Sequence, residues 1–350
     1  MNSSVNPRSS RAAAGPEAVL TYLIRRLFAV VVMLIVVMLA VFGIFFLIPE
    51  WTGVDPATMF AGKQSDAQAL EGIRQKLGLG DPILVQLFDF FRGILVGRDY
   101  VSAGDTIHCS APCFGYSFKT EQAVWPILAD RLPVTLGLAV GAAVIWLLIG
   151  LTAGVVSALR RGTVWDRVTM GIALSGVSLP IYFTGLLSLA IFSYGLGIVS
   201  NEYTPLEESF PSWFSGMILP WLTLAFLFGA MYARLTRATM LEVMGEDYIR
   251  TARAKGVRES VVIRKHAMRS TMTPIITLLG VDLGALMGGA ILTETTFSLP
   301  GLGQAVLKAI SEKDLPLILG VTLITASAVV IANLVVDLLY GVIDPRVRLA

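Results

Sequence analysis

Residues Glu246–Pro274 read EDYIRTARAKGVRESVVIRKHAMRSTMTP, the most basic run in a strongly apolar chain, with long uncharged segments on both sides. Glu246 and Asp247 stand where acidic groups favour a helix start, and Lys255-Gly256 reads as a basic last turn closed by a glycine cap. The pattern predicts a helix of roughly two to three turns, about 14 Å long. A short capped helix between two apolar segments offers a surface to a partner. The plainer alternative is the positively charged cytoplasmic loop that any multi-span protein carries.

The chain of 350 residues is 55% hydrophobic and only 15% charged, with a mean hydropathy of +0.73. Soluble domains carry about a quarter charged residues, so an all-α integral membrane protein is expected. Two Cys and two His argue against a metal centre or haem site, and no cofactor is expected in this chain. No G-x-x-x-x-G-K-[ST] stretch occurs, so any nucleotide chemistry belongs to another polypeptide. Nothing points to a nucleic-acid partner; the apolar runs point to membrane lipid.

Arg25 and Arg26 precede an apolar run from Leu27 to Ile48. It is too long for a signal h-region and lacks a small-residue cleavage site, so it reads as a first transmembrane helix. Further apolar runs cover Leu132–Leu159, Val168–Tyr194 (with Leu179-Pro180 bending it), Trp213–Ala233, Ile275–Thr293 and Leu315–Tyr340. Each suffices for the roughly 20 residues a bilayer requires. Lys and Arg alternate along these six spans. The proposed inner segments hold 4, 3, 9 and 2, and the two short outer loops hold 0 and 2. The first outer loop holds 7, but loops beyond about 60 residues cross the membrane largely regardless of charge. Both termini therefore fall inside.

Between Glu50 and Leu132 lies the one sizeable polar region. Helical spacing over Ser65–Leu77 and again over Pro82–Leu95 suggests short helices at a membrane surface. His108-Cys109-Ser-Ala-Pro-Cys113 fits a short-range disulfide if the loop faces an oxidising compartment; free thiols or a metal site remain open, the latter without a visible fourth ligand. In the fifth span Gly280, Gly284 and Gly288 recur every four residues, which allows a close helix contact, static or sliding. Asp282 beside them is costly in a membrane and faces protein or water by default. It reads as a packing or pore-lining contact, or as a proton relay lacking a second acid, His or Lys.

Tyr248-Ile249-Arg250-Thr251-Ala252-Arg253-Ala254-Lys255-Gly256, then Arg264–Arg269 and Pro274, resembles the membrane subunit of bacterial dipeptide/oligopeptide and nickel ABC importers, the B-type permease. Glu294-Thr-Thr-Phe297-Ser-Leu-Pro300-Gly301-Leu-Gly303, Asp344-Pro-Arg346 and Arg131-Leu-Pro-Val-Thr-Leu136 strengthen the likeness, which covers residues 22 to 348. The general importer motif starts with Glu-Ala-Ala and has its Gly six residues after that Glu. Arg250, Thr251 and Ala252 stand there instead, a departure typical of the peptide branch.

The resemblance implies a type I ABC importer permease fold with six transmembrane helices and cytoplasmic termini. It divides the chain into a tail 1–26, a first span 27–48, an extracytoplasmic region 49–132, a five-helix core 133–343 with a coupling loop 234–274, and a tail 344–350. The basic helix becomes the coupling helix that docks on an ATP-binding subunit, with Gly256 allowing close backbone approach and Arg250, Arg253 and Lys255 pairing with its acids. Glu294, Phe297, Pro300, Gly301 and Gly303 become an outward-gate loop. The implied partners are a second, homologous permease, one or two ATP-binding subunits that hold ATP and Mg, and an extracytoplasmic binding protein or lipoprotein. The implied setting is the bacterial inner membrane and the implied cargo is peptides, with nickel, haem or another solute as alternatives. A proton-coupled transporter using Asp282 is the rival of a different class.

Overall fold

The computed structural model describes residues 16–53, 55, 57–58, 70–72, 74, 80–102, 105–117, 119–288 and 290–343. The helix expected over Ser65–Leu77 falls largely outside them, as do residues 1–15 and the Asp344-Pro345-Arg346 ending. Helix α1 (Pro16–Phe42) continues through a π turn at Gly43–Leu47 and a last turn at Ile48–Thr52. Its apolar stretch, Ile24–Leu47, is long enough to cross a membrane. Helix α2 (Ile83–Val96) follows. Its Phe90 and Ile94 pack with Val41, Phe46, Leu319 and Leu323, so it is fastened to the outer ends of the first and last spans.

Two small antiparallel pairs come next. Strands β1 (Arg98–Ser102) and β2 (Asp105–Cys109) pair with Tyr100 opposite Ile107, and β3 (Tyr116–Ser117) pairs with β4 (Gln122–Ala123). Short surface helices, and no strands, are expected here from the sequence. The β-branched and aromatic residues Tyr100, Val101, Thr106 and Ile107 flanking Gly104 are the signal for a hairpin.

Helix α3 (Val124–Leu159) begins eight residues before the expected second span. Its 36 residues extend about 54 Å, well beyond a hydrocarbon core of about 30 Å. The third span is two helices, α4 (Val164–Ser178) and α5 (Ile181–Ser188), the latter running on as a π turn to Gly195. The two parts meet at 104°. Pro180 has no N–H to continue the helix and holds Leu179 extended, at φ −90°, ψ 133°. The bend expected of Leu179-Pro180 is thus a full break.

Helix α6 (Phe210–Met244) runs eleven residues past the expected end of the fourth span. Ala233, Thr236 and Met240 are all buried and continue its inward stripe at helical spacing, so the helix persists although the uncharged run has ended. Arg234 and Arg237 therefore sit on this helix and not in a loop. After α7 (Asp247–Ala254) comes α8 (Glu259–Met287), with a π turn at Val262–Ala267. It stops at Gly288, short of the expected Thr293, and α9 (Ile291–Thr296) is a separate piece. Helices α10 (Leu302–Glu312) and α11 (Leu315–Ile343) complete the chain.

The centre of the bundle is the α3–α6 contact. A Cβ at Gly150 would lie 2.6 Å from the Tyr232 Cβ, and one at Gly154 would lie 2.5 Å from the Thr236 Cβ. These glycines let the two longest helices touch backbone to side chain. Trp146, Met217, Leu224 and Tyr232 fill the interior between them. Large apolar side chains such as Phe28, Val36, Leu148 and Ile172 are exposed, which suits a surface bathed in lipid.

Candidate functional site

At the cytoplasmic end, Gly245 terminates α6 and Glu246 adopts an extended conformation before α7. Asp247 lies in the first turn of α7 and Arg253 in the last, complementing the helix dipole at each end. The helix has 8 residues, about 12 Å. Its close is a paired hydrogen-bond cap: Gly256 N donates to Arg253 O at 2.9 Å and Val257 N to Ala252 O at 3.3 Å. The cap requires a left-handed residue, and Gly256 has φ +76°. Nothing lies within 4 Å of the position its Cβ would occupy. Within this chain it is backbone conformation, not crowding by neighbours, that selects glycine.

Ile249 and Ala252 are buried on the inner face of α7, against Ala158, Met240, Val262 and Ala267. The helix is thus pinned to the lower ends of α3, α6 and α8 at once. Tyr248, Arg250, Thr251, Arg253, Ala254 and Lys255 are exposed on the opposite side. Arg253 makes a forked contact with Glu259, Nε at 3.1 Å and Nη2 at 2.7 Å, and Arg250 reaches Asp247 at 3.3 Å. Two of the three cations expected to face a partner's acids thus already have an acid in this chain. Tyr248 Oη and Ser270 Oγ are 3.0 Å apart, tying the elbow to α8.

The outer end holds a contrasting cluster. Glu294 on α9 is fully buried. Thr135 Oγ1 of α3 donates to its Oε1 at 2.8 Å and Gln304 N donates to its Oε2 at 3.0 Å. Leu302 N in turn donates to Thr135 Oγ1 at 2.9 Å. One carboxylate and one hydroxyl thereby satisfy first-turn N–H groups of α10, where the helix dipole also favours negative charge. Burial pushes the Glu294 carboxyl above its usual range, opposed by the donors Gln304, Thr135 and Gly303. A Cβ at Gly301 would come within 2.3–2.5 Å of the Glu294 carboxyl atoms, and one at Gly303 would sit 2.9 Å from Ile291 and 3.0 Å from Glu294 Oε2. Both glycines are therefore the space that Glu294 fills. Phe297 is buried against the glycine face of α5 at Gly185, and Pro300 sits half-buried in the turn leading to Gly301. Thr135 belongs to the Arg131–Leu136 stretch but is not among the site residues expected from the sequence.

The chain matches the family model described as binding-protein-dependent transport system inner membrane component over residues 150–349, and the N-terminal model of the same system over residues 19–139. It belongs to that family. It is 36% identical over 329 residues to the glutathione transport system permease protein GsiC of Escherichia coli strain K12, covering 94% of this chain and 99% of that one. To the dipeptide transport system permease protein DppB of Alkalihalophilus pseudofirmus it is 35% identical over 354 residues, with the same coverage. A chain of the inward-facing MetNI methionine ABC transporter superposes with a TM-score of 0.51 at 17% identity, covering 63% of this chain and 97% of that one. That likeness shows the type I ABC importer permease fold. The chain is thus a multi-pass permease subunit of an ABC importer in the bacterial inner membrane. ATP-binding subunits and a substrate-binding protein are its partners, and the hydrolysis of ATP belongs to the former.

The remaining expected residues find structural surroundings in this permease. Gly280 and Gly284 face α11, where a Cβ at Gly280 would lie 2.4 Å from Val336 and one at Gly284 3.3 Å from Val329. Thr325 lies 3.4 Å from the corresponding position at Gly288. The glycine row is the α8–α11 packing seam. Asp282 is turned the other way and accepts a hydrogen bond from Tyr232 Oη of α6 at 2.8 Å. Cys109 and Cys113 are bonded to each other, S–S 2.08 Å, among the buried rings of Tyr100 and Tyr116. Neither sulfur is then free to ligate a metal, and His108 pairs with Asp99. Ser117 Oγ donates to buried Asp314 at 2.5 Å, anchoring this outer module beside the start of α11.

Proposed function

We propose that this permease lines one half of a pathway for dipeptides and short oligopeptides, the other half coming from a second, homologous permease. The peptide reading is supported by relatives matched over 99% of their length that are described as glutathione and dipeptide permeases. The mechanism rests on one observation above the others. Helix α7 packs on the bundle through Ile249 and Ala252 on its inner side, and it presents a basic outer face with open space at Gly256. That is the form of a docking knob. ATP and Mg bind to the partner ATPase subunits, their closure displaces α7, and the pathway alternates between inward-open and outward-open. A binding protein delivers the peptide at the outer mouth beside the Glu294–Gly303 loop, which acts as the outward gate.

The test is uptake of labelled dialanine by the assembled transporter, competed by tripeptides, longer peptides, glutathione, nickel and haem. Competition by peptides and not by the metal or haem is expected. Failure of every peptide to be transported or to compete overturns the substrate assignment.

A further inference from the structure

The two halves of the third span are fastened to different parts of the molecule. The lower half, α4, is tied to α6 by a buried ionic knot. Asp166, 5% exposed, accepts from Arg237 Nε at 2.7 Å and Nη2 at 2.9 Å. It also accepts from Ser157 Oγ at the end of α3 and from Gly162 N at 2.9 Å. One carboxylate thereby gathers α3, α4 and α6. Higher up, a Cβ at Gly176 would lie 2.6 Å from Phe226 O and 2.8 Å from the Ala230 Cβ, so α4 lies flush on α6.

The upper half, α5, is fastened elsewhere. A Cβ at Gly185 would lie 3.1 Å from Thr296 and 3.2 Å from Phe297, which places α5 against the outer loop that Glu294 organises. Between the two halves lies the 104° break at Leu179-Pro180. Arg237 stands seven residues before Met244, where α6 gives way to the elbow, about 10 Å along the helix.

We propose that Asp166 and Arg237 are positioning residues for coupling. Through them the arm that carries α7 drags the lower half of the third span, and Leu179-Pro180 is the hinge across which α5 and the outer loop respond. The inference rests on the docking role of α7 given above. A two-pronged Arg–carboxylate contact suits the task because it fixes direction as well as distance. Hinges of domain and helix motions are commonly a few element-terminal residues such as these. A buried ion pair contributes little net stability when compared with apolar packing, so a geometric role fits it better than a stabilising one.

The experiment uses the whole assembled transporter in proteoliposomes, with Thr295→Cys on the outer loop as reporter. The native cysteines are bonded to each other and do not label. The rate of maleimide labelling is read with and without ATP plus vanadate, beside copurification of all subunits. The reporter alone is expected to change its labelling with trapped nucleotide. Asp166→Asn and Arg237→Ala are expected to shrink that change at least about five-fold, the low end of common coupling free energies. Arg237→Lys, keeping the charge but not the fork, is expected to fall between. A wild-type change in an assembled Asp166→Asn or Arg237→Ala complex overturns the relay. Failure of all three variants to assemble also overturns it, in favour of a purely structural knot. No change in the reporter alone overturns the docking role of α7 and the relay with it, which separates that failure from a failure of the knot.

Discussion

The elbow around α7 and the loop around Glu294 carry the two most distinctive motifs of the chain, and they are built on opposite principles. At Glu294 every polar partner is internal, and the side chain fills the space left by Gly301 and Gly303. At Gly256 the glycine faces nothing in its own chain, and the cations around it are exposed. One motif is complete in itself. The other is complete only as backbone and leaves its outer surface open within this chain. A glycine in a motif thus has two distinct physical meanings, room for a side chain or a conformation for a cap, and substitution separates them.

The largest effect on the permease itself is expected at Gly301. Valine there drives a Cβ into the Glu294 carboxylate, and overpacking of this kind costs about 1–3 kcal/mol or more. Thermal unfolding of the purified complex should drop and uptake should fall with it. A Gly301→Val protein as stable and active as wild type would break the contrast, since the outer loop would then have slack. Next comes Thr135→Ala, which strands one Glu294 oxygen and Leu302 N in a buried site. An unmade buried hydrogen bond costs about 1–3 kcal/mol. Thr135→Ser keeps the hydroxyl and should recover most of the loss in the same unfolding assay. Equal losses in the two variants would assign the role of Thr135 to its methyl group.

How much of each region was legible in the sequence follows from the range of its interactions. The elbow is local: acidic start, basic close and glycine cap all lie within eleven residues, from Glu246 to Gly256. Its missed feature, the Arg253–Glu259 fork, joins residues on either side of the turn, where helical spacing gives no guide. The outer cluster is not local. Thr135 and Glu294 are 159 positions apart, so the motif was visible but its reason was not. The same limit hid Asp166. Counting Arg160, Arg161 and Arg167 marks that turn as cytoplasmic, yet it is the acid among them that joins the turn to α3 and α6. Pro180 announced a bend, but its size depends on what α4 and α5 pack against. The spans were legible from hydropathy, while their ends followed buried stripes that continue past the uncharged runs.

The smallest cost to the permease alone, and the sharpest division between the two kinds of glycine, is expected at Gly256. Alanine and tryptophan both pass into a left-handed conformation that disfavours any side chain by about 1–2 kcal/mol, and neither meets an atom of this chain at its Cβ. Their effects on the unfolding of the isolated permease should therefore be similar and modest. Tryptophan alone fills the open volume beside the cap. If that volume is where an ATPase subunit approaches, Gly256→Trp should lose uptake per ATP hydrolysed by far more than Gly256→Ala, with both proteins present in the membrane. Equal coupling in the two variants would make Gly256 a cap and nothing else, and the elbow would then be as self-contained as the Glu294 loop.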